Sequence, residues 1–141
     1  MFGNNMKATR WGIIGCAKIA KDQVIPAMIK SENTKLLAIA SRDREKATSF
    51  SETFSIERVY DSYEQLISDP EIDAIYIPLP NHLHVPWSIK CVEAGKHVLC
   101  EKPISIKSKD VLKLVKAEED SKKIIAEAFM VRFHPQWIKA K

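Results

Sequence analysis

The sequence predicts an α/β protein built as a single domain on a doubly wound parallel sheet. Three observations support this prediction: strand and helix signals alternate along the chain, the strand signals are short apolar runs, and a glycine-containing turn follows the first of them. Strands covered on both faces read as continuous apolar runs, and parallel neighbours require crossover connections. A length of 141 residues suits one domain with its own core.

The first half of the chain predicts three units of one strand followed by one helix. Each strand signal is a short, mostly apolar run, and each helix signal is a more polar stretch that follows it. Asp69 and Pro70 end the third helix, because the residue before a proline avoids helical backbone. In chain order the predicted elements are a strand at 9–14, a helix at 17–30, a strand at 36–40, a helix at 43–54, a strand at 58–60 and a helix at 63–68.

The second half continues the alternation with four consecutive apolar residues, Ala74 to Ile77. A loop with two prolines follows this run, and Gly95 stands where the C-terminal cap of a helix is expected. The predicted elements are a strand at 74–77, a helix at 84–94, a strand at 97–100, a helix at 108–121 and a strand at 124–128, with a further helix beginning after Pro135. Right-handed crossovers between such strands place helices on both faces of the sheet.

Composition limits the classes of function. The net charge of +4 is small, and basic and acidic residues are interleaved, which argues against a nucleic-acid surface. Cys16, Cys91 and Cys100 form no CxxC pair and indicate reduced thiols, the last two buried. The sequence has neither an apolar segment of membrane-spanning length nor the pattern of a signal peptide. We therefore expect a cytoplasmic protein without nucleic-acid or membrane partners.

The turn after the first strand is the first candidate for ligand binding. Gly15, Ala17 and Ala20 have the GxGxxG/A spacing of a Rossmann-type dinucleotide turn, with alanine in place of the middle glycine. That glycine normally lets the backbone approach a pyrophosphate, so the methyl group of Ala17 adds bulk there. The turn continues through Lys18 and Ile19 into a helix whose first N–H groups favour anions. A turn used only for packing, with a solvated Lys18, is the alternative.

The end of the second strand indicates which dinucleotide is bound. A carboxylate there accepts hydrogen bonds from the ribose of NAD, whereas the 2′-phosphate of NADP calls for hydroxyl and guanidinium donors. Ser41 and Arg42 occupy this place and favour NADP(H), while Asp43 keeps NAD(H) possible. In the alternative interpretation Ser41 caps the next helix and Arg42 pairs with Glu45 or Asp43 on the surface.

Lys102 stands at the carboxyl end of an apolar strand, followed by Pro103. Ligands bind at this edge of an open α/β sheet, so Lys102 is a candidate for catalysis beside a nicotinamide, the alternative being an exposed strand-end lysine. The loop after the preceding strand brings Asn81, His82 and His84 to the same edge, where Asn81 is equally able to cap the following helix. Two histidines without a third ligand predict no metal.

Five segments together resemble a known family. They are GIIGCAKIA (12–20), ASRD (40–43), IPLPNHLH (77–84), GKHVLCEKP (95–103) and EAFMVRFHPQ (127–136). Their order and spacing are similar to those of the NAD(P)-dependent oxidoreductases that include glucose-fructose oxidoreductases, inositol dehydrogenases and rhizopine-catabolism proteins. The resemblance extends from about residue 8 onward, and the last segment is most similar to dihydrodiol dehydrogenases and NADP-linked xylose dehydrogenases.

The resemblance implies a role for each matching position. Lys102 would bond the reacting oxygen of the substrate and move its proton while hydride passes to or from the nicotinamide, and the Lys102–Pro103 bond would be cis. Arg132 and His134 would lie at the lip of the site. The residues implied to line the nicotinamide ribose are Leu79, Pro80, Asn81, His84 and Glu101.

The resemblance also implies the organisation of the chain. Residues 1–8 would form a flexible N-terminus, 9–128 the NAD(P)-binding domain and 129–141 the start of a connection to a C-terminal substrate domain. We expect the nucleotide-binding domain of an NADP(H)-dependent oxidoreductase that acts on a sugar, polyol or diol and is inactive alone. A homo-oligomer is left open. The alternative function is a non-catalytic NAD(P)-binding sensor or regulatory module.

Overall fold

The structure, a computed structural model, describes residues 7–140, so most of the N-terminal segment that we expect to be flexible lies outside it. The strands in this range are β1 (Thr9–Ile14), β2 (Thr34–Ala40), β3 (Arg58–Tyr60), β4 (Ala74–Ile77), β5 (His97–Cys100) and β6 (Ile125–Glu127). They form one sheet in the spatial order β3-β2-β1-β4-β5-β6, and each neighbouring pair is parallel. The predicted doubly wound parallel sheet is therefore confirmed.

The connections between strands are helical. The helices are α1 (Ile25–Lys30), α2 (Arg44–Phe54), α3 (Tyr63–Ile67), α4 (Asn81–Glu93), α5 (Ser108–Ser121) and α6 (Pro135–Lys139), with a 3₁₀ turn at Met130–Phe133. A π-helical turn at Ala20–Val24 precedes α1. It lies next to Pro26, whose missing N–H cannot continue the α-helical bonding, so a wider turn is accommodated there.

The two faces of the sheet bury separate cores. Successive residues of a strand point to opposite faces, so Ile13 and Ile14 of β1 belong to different cores. On the Ile13 face the sheet packs against Ile25 of α1 and Phe50 of α2. On the other face it packs against side chains of α3 and α4, among them Tyr63, Leu66, Val92 and the fully buried Cys91. Burial on both faces explains why the strands read as apolar runs.

The spatial order of the strands reverses at β1. β2 and β3 lie on one side of it, and β4, β5 and β6 lie on the other. In a sheet of this kind the crevice outside the carboxyl ends at the reversal is the ligand-binding position. Because β1 ends at Ile14 and its neighbour β4 ends at Ile77, the turn after β1 and the loop after β4 meet at this point.

The start of α4 differs from the prediction. The helix begins at Asn81 rather than at His84, and Pro80 is its N-cap. Leu83 N–H donates to the Pro80 carbonyl at 2.8 Å and closes the first turn without a side-chain cap. The alternative role of Asn81 as a cap is therefore wrong. Gly95 follows the helix with a φ of 81°, so its predicted role as C-terminal cap is confirmed.

Candidate functional site

Two adjoining cavities lie along the carboxyl ends of the strands. The first has a volume of about 560 Å³ and lies at the ends of β1 and β2. The second, of about 340 Å³, lies at the ends of β4 and β5. Pro78 and Leu79 line both cavities, so the loop after β4 divides one crevice into two halves. This crevice coincides with the reversal point of the strand order, where such sheets bind ligands.

Gly15 begins the turn that borders the first cavity. Its φ of 108° lies in a region that L side chains rarely adopt, and a Cβ added there would lie 2.8 Å from Leu79 Cδ2. Both the backbone and the close approach of the loop after β4 therefore require glycine. Ala17 lines the same cavity with a half-buried side chain. The first N–H groups of the following helical segment have no intrahelical acceptor, which suits a phosphate.

Polar and charged side chains crowd the end of β2. Ser41, Arg42 and Asp43 line the first cavity, and Lys46 reaches it from the first turn of α2. Asp43 Oδ1 accepts from Lys46 N–H at 3.2 Å, and Asp43 Oδ2 lies 3.1 Å from Lys46 Nζ. The backbone bond from Lys46, followed by its side-chain bond, holds the pKa of Asp43 below its ordinary value. The carboxylate of Asp43 is thus already bonded to the backbone and side chain of Lys46 in α2.

The structure does not show the alternative roles of Ser41 as a helix cap and of Arg42 as a surface partner of Glu45 or Asp43. Ser41 is only 7% exposed, and its Oγ accepts from Asp43 N–H at 3.1 Å, while Asp43 itself is the N-cap of α2. Capping by Ser41 is therefore wrong. Asp43 pairs with Lys46, and across residues 7–140 neither Asp43 nor Glu45 pairs with Arg42. The pairing proposed for Arg42 is wrong as well.

The second cavity collects residues from four segments of the chain. Apart from Pro78 and Met130, its lining consists of residues that the sequence analysis assigned to the cofactor site. Pro80, which was expected beside them, lines the first cavity instead. The lining residues of the second cavity are Ile19, Pro78, Leu79, Asn81, His84, Glu101, Lys102 and Met130.

Lys102 lies on a turn whose backbone is held from both sides. Its side chain is exposed, and the Lys102–Pro103 peptide bond is cis, as the resemblance implies. On one side Lys102 N–H donates to Glu101 Oε2 at 3.3 Å, and on the other Ile104 N–H donates to Glu127 Oε1 at 2.8 Å. These two carboxylates fix the backbone that carries the ammonium group to the crevice.

Glu101 is anchored from the neighbouring strand. It is 8% exposed, and its Oε1 accepts a 2.7 Å hydrogen bond from the hydroxyl of Tyr76, a fully buried residue of β4. Burial, and then the bond to Glu101, raise the pKa of Tyr76 far above its ordinary value. The phenol is therefore a stable donor, and it holds the carboxylate that precedes Lys102.

His84 joins the two loops that border the second cavity. Its imidazole is 1% exposed, with Nε2 lying 2.6 Å from the Leu79 carbonyl oxygen and Nδ1 lying 2.8 Å from the Pro103 carbonyl oxygen. Leu79 belongs to the loop after β4, and Pro103 belongs to the turn of Lys102. Both ring nitrogens are thus engaged with protein, so His84 supports the crevice wall from within.

Three residues of the sequence-based site lie elsewhere. Lys18 is exposed, does not line either cavity, and forms an ion pair with Asp22 on its own helix. Arg132 lines a separate apolar hollow near α6. His134 Nδ1 accepts from Gln136 N–H and so caps α6. Lys18 and His134 thus have local structural roles, and Met130, rather than Arg132, borders the crevice.

Tyr76, Lys46 and Glu127 were missed by the sequence analysis. A signal for Tyr76 existed, because a buried phenol in a strand covered on both faces needs a partner for its hydroxyl. Lys46 also had a signal, since it lies one helical turn after the polar cluster that ends β2. Nothing in the sequence indicated that Glu127 would accept from Ile104 N–H.

Other chemistries find little support in the described part of the chain. Within residues 7–140 no three His, Cys, Asp or Glu side chains are placed to hold a metal ion together. Burial raises the pKa of the Cys16 thiol at the edge of the first cavity, so this cysteine is not activated as a nucleophile. No helix in the same range is both long and apolar enough to span a bilayer.

A six-stranded parallel sheet of this order, with a crevice at its reversal point, defines a dinucleotide-binding domain of the Rossmann class. Comparison with known families identifies it further. The chain belongs to the oxidoreductase family with an NAD-binding Rossmann fold, whose model matches residues 9–129. The family resemblance of the five sequence segments is therefore confirmed.

Individual relatives are considerably longer than this chain. It is 49% identical over 132 residues to the uncharacterised oxidoreductase ORF334 of Rhizobium meliloti, covering 94% of this chain and 40% of that protein. It is 43% identical over 125 residues to D-xylose 1-dehydrogenase (NADP(+)) 2 of Haloferax volcanii, covering 89% and 38%. The crystal structure of KijD10, a 3-ketoreductase from Actinomadura kijaniata in complex with NADP and TDP-benzene, matches with a TM-score of 0.91 and 36% identity, over 95% of this chain and 41% of that one.

Proposed function

We propose that this chain is the NADP(H)-binding part of an oxidoreductase that transfers hydride between the nicotinamide and a sugar, polyol or diol. The observation that carries the proposal is that the crevice has basic side chains at both of its ends. One end, at the carboxyl end of β2, holds Arg42 and Lys46, and the other end, at the turn after β5, holds Lys102. A dinucleotide bound between them would place its adenosine phosphate at the first pair and its nicotinamide beside Lys102.

The groups at the end of β2 support NADP(H) over NAD(H). The carboxylate of Asp43 is bonded to the Lys46 backbone and ammonium and is a poor acceptor for a ribose hydroxyl. Arg42 lines the cavity and forms no ion pair with any residue from 7 to 140, which leaves its donors for a phosphate. The NADP(+) in the name of the Haloferax relative and the NADP in the KijD10 structure agree with this choice.

The second cavity supports a proton-transferring role for Lys102. When bound, the nicotinamide supplies or accepts the hydride. Lys102 donates a hydrogen bond to the reacting oxygen and gives it a proton during reduction, or receives that proton during oxidation. Glu101 and Glu127 hold the backbone of the turn, so the ammonium group is presented from a fixed base.

An enzyme is favoured over a cofactor sensor by the relatives. Those named above with an activity are a dehydrogenase and a ketoreductase, and this chain matches about two fifths of their length. We infer that substrate is held largely by the part of such proteins that this chain does not match. The choice of a sugar as substrate is supported by the name of the Haloferax relative, a D-xylose 1-dehydrogenase.

The test of cofactor choice is calorimetric titration of this chain with NADPH and with NADH. NADPH should bind more tightly, and Arg42→Ala should weaken NADPH binding by about tenfold or more, the equivalent of losing about 1.4 kcal/mol of charge-assisted bonding. Arg44→Ala is the matched control, because Arg44 is an exposed arginine of α2 that pairs with Asp61 and does not line the crevice. Binding of neither nucleotide would reject the proposal.

The test of the catalytic role uses the whole protein in which this chain functions. Lys102→Ala should lower turnover by about a hundredfold or more, since positioned proton transfer contributes on that order. The affinity for NADPH should stay near that of the wild type. Lys107→Ala, a change at another exposed lysine nearby, serves as the control. Retained turnover in Lys102→Ala would show that Lys102 is not the proton-transferring group.

A further inference from the structure

The imidazole of His84 has an unusual pair of partners. Both are carbonyl oxygens, that of Leu79 at 2.6 Å from Nε2 and that of Pro103 at 2.8 Å from Nδ1. A carbonyl oxygen only accepts, and a neutral imidazole carries one N–H and one lone pair. A neutral ring would therefore set a lone pair against one of the carbonyls, whereas a ring with protons on both nitrogens donates to both.

The surroundings of His84 make this arrangement a rigid one. The residue is 1% exposed on the first turn of α4, so water does not replace either bond. The charged groups that line the same cavity are Glu101 and Lys102, both from the end of β5.

The two carbonyls belong to the two segments that define the nicotinamide half of the crevice. Leu79 lies in the loop after β4, and its Cδ2 would lie 2.8 Å from a Cβ at Gly15, so its position is coupled to the glycine turn. Pro103 lies in the cis turn that carries Lys102. His84 therefore fixes the separation between the wall of the cavity and the candidate catalytic lysine.

We propose that His84 is a positioning residue: by donating from both ring nitrogens, it holds the loop after β4 and the Lys102 turn at the separation that the nicotinamide end of the cofactor requires. This inference rests on the proposed function. It goes beyond the expectation that His84 lines the nicotinamide ribose, because His84 acts through two backbone carbonyls. Leu79 lines both cavities, but Arg42 and Lys46 at the adenosine end belong to the end of β2 and to α2, to which His84 does not bond, so the adenosine end should depend on His84 much less than the nicotinamide end does.

The first test is the protonation of the ring in the wild-type chain. Long-range ¹H–¹⁵N correlation spectra at neutral pH should show both nitrogens of His84 as protonated. His82, exposed two residues earlier, is the internal control, because its ring has no hydrogen-bond partner among residues 7–140. A spectrum in which one His84 nitrogen carries only a lone pair would overturn the proposal, whether or not the chain binds a nucleotide.

The second test compares two probes that share the adenosine end, NADPH and adenosine 2′,5′-bisphosphate. His84→Gln keeps a polar side chain that cannot bridge both carbonyls, and it should weaken NADPH binding by about tenfold while leaving the bisphosphate within about twofold. His82→Gln should change neither. Retained binding of the bisphosphate also shows that the variant is folded.

The outcomes of the second test separate the two proposals. Equal losses for both probes, or no loss for either, would overturn the positioning role of His84. Failure of the wild-type chain to bind NADPH would instead reject the proposed function, and the NMR measurement would then decide the state of His84 by itself. Arg42→Ala provides the opposite pattern, since it should weaken both probes alike.

Discussion

The hydroxyl of Tyr76 donates a 2.7 Å hydrogen bond to the carboxylate of Glu101, the residue immediately before the candidate catalytic lysine. This bond crosses from β4 to the end of β5, two strands that pair in parallel with Ile77 opposite Cys100. It turns a buried carboxylate, which would be costly without partners, into a fixed point of the crevice wall. The chemistry of the site thus depends on a residue of the sheet core.

Tyr76→Phe should destabilise the chain by about 1–3 kcal/mol, because it leaves a buried carboxylate oxygen without its donor. Guanidinium unfolding at neutral pH measures this loss. Tyr63→Phe is the control, because the hydroxyl of this tyrosine has no hydrogen-bond partner among residues 7–140. If Tyr76→Phe unfolds at the denaturant concentration of the wild type, the bond contributes no net stability.

Gly15→Ala should destabilise the chain and weaken NADPH binding, since it adds a Cβ both at a φ of 108° and against Leu79. Gly95→Ala is the matched control, because its φ of 81° carries the same kind of backbone penalty while a Cβ there meets nothing within 4 Å. We expect about 1 kcal/mol from the backbone at either position and a further loss at Gly15 from the contact. Equal unfolding free energies for the two variants would show that Leu79 yields without cost.

Lys96→Met should cost about 1–3 kcal/mol of unfolding free energy, because it leaves the Ile72 carbonyl without a donor and the Asp69 carbonyl with only the N–H of Ile72, while it keeps an apolar stem of similar length. In the wild type the buried Lys96 ammonium donates to the Asp69 carbonyl at 2.6 Å and to the Ile72 carbonyl at 2.8 Å. These bonds hold the loop before β4. Lys90→Met, at an exposed lysine of α4, should lie within about 1 kcal/mol of the wild type. A loss at Lys96 no larger than at Lys90 would contradict this role.

Because of the ion pair between Arg10 and Asp73, the free energy of unfolding should decrease as the pH falls into the acidic range. Arg10 donates to both carboxylate oxygens, at 2.7 and 2.9 Å, and this bonding lowers the pKa of Asp73 from 3.8 to about 2. A lowered pKa in the folded state stabilises the protein above the unfolded value, and this stabilisation is lost as pH falls from about 4 towards 2.

Urea unfolding across this pH range, with Asp73→Asn as the comparison, isolates that contribution. The wild type should lose stability more steeply than the variant between the two pKa values, because only the wild type takes up the proton at residue 73. Parallel curves for the two proteins would mean that the Arg10–Asp73 pair does not titrate as its geometry predicts.

Local patterns in the sequence were sufficient for the architecture. The strands at 9–14, 58–60, 74–77 and 97–100 occur where they are predicted. The signal is strongest for the fully buried strand 74–77, because a run covered on both faces has a continuously apolar composition, whereas 58–60 is a half-buried strand at the edge of the sheet. The start of α4 was misplaced, since Pro80 and the Leu83 N–H form a turn that carries no capping side chain. Helix ends without such a signal depend on contacts that a local pattern does not contain.

The location of the candidate site was also predictable from local patterns in the sequence. The hydrogen-bond partners of its side chains were not predictable in this way. Residues that follow parallel strands meet at one edge of the sheet, so Lys102 and Asn81 could be placed there from sequence. The sequence did not show that Lys18 lies outside the site, because its ion pair with Asp22 depends on the direction in which a helical side chain points. The position of Arg132 likewise depends on the path of the chain after β6, which the sequence does not indicate.

The sequence by itself determined the alternation of strands and helices, the doubly wound parallel sheet and the turn that carries Lys102. These follow from periodicity, from apolar runs and from the handedness of crossovers, all of which act over short stretches of chain. Only the tertiary structure decided that Tyr76 holds Glu101 and that His84 joins the carbonyls of Leu79 and Pro103. Such bonds join residues far apart in sequence, and buried polar groups accept only partners that folding brings within about 3 Å.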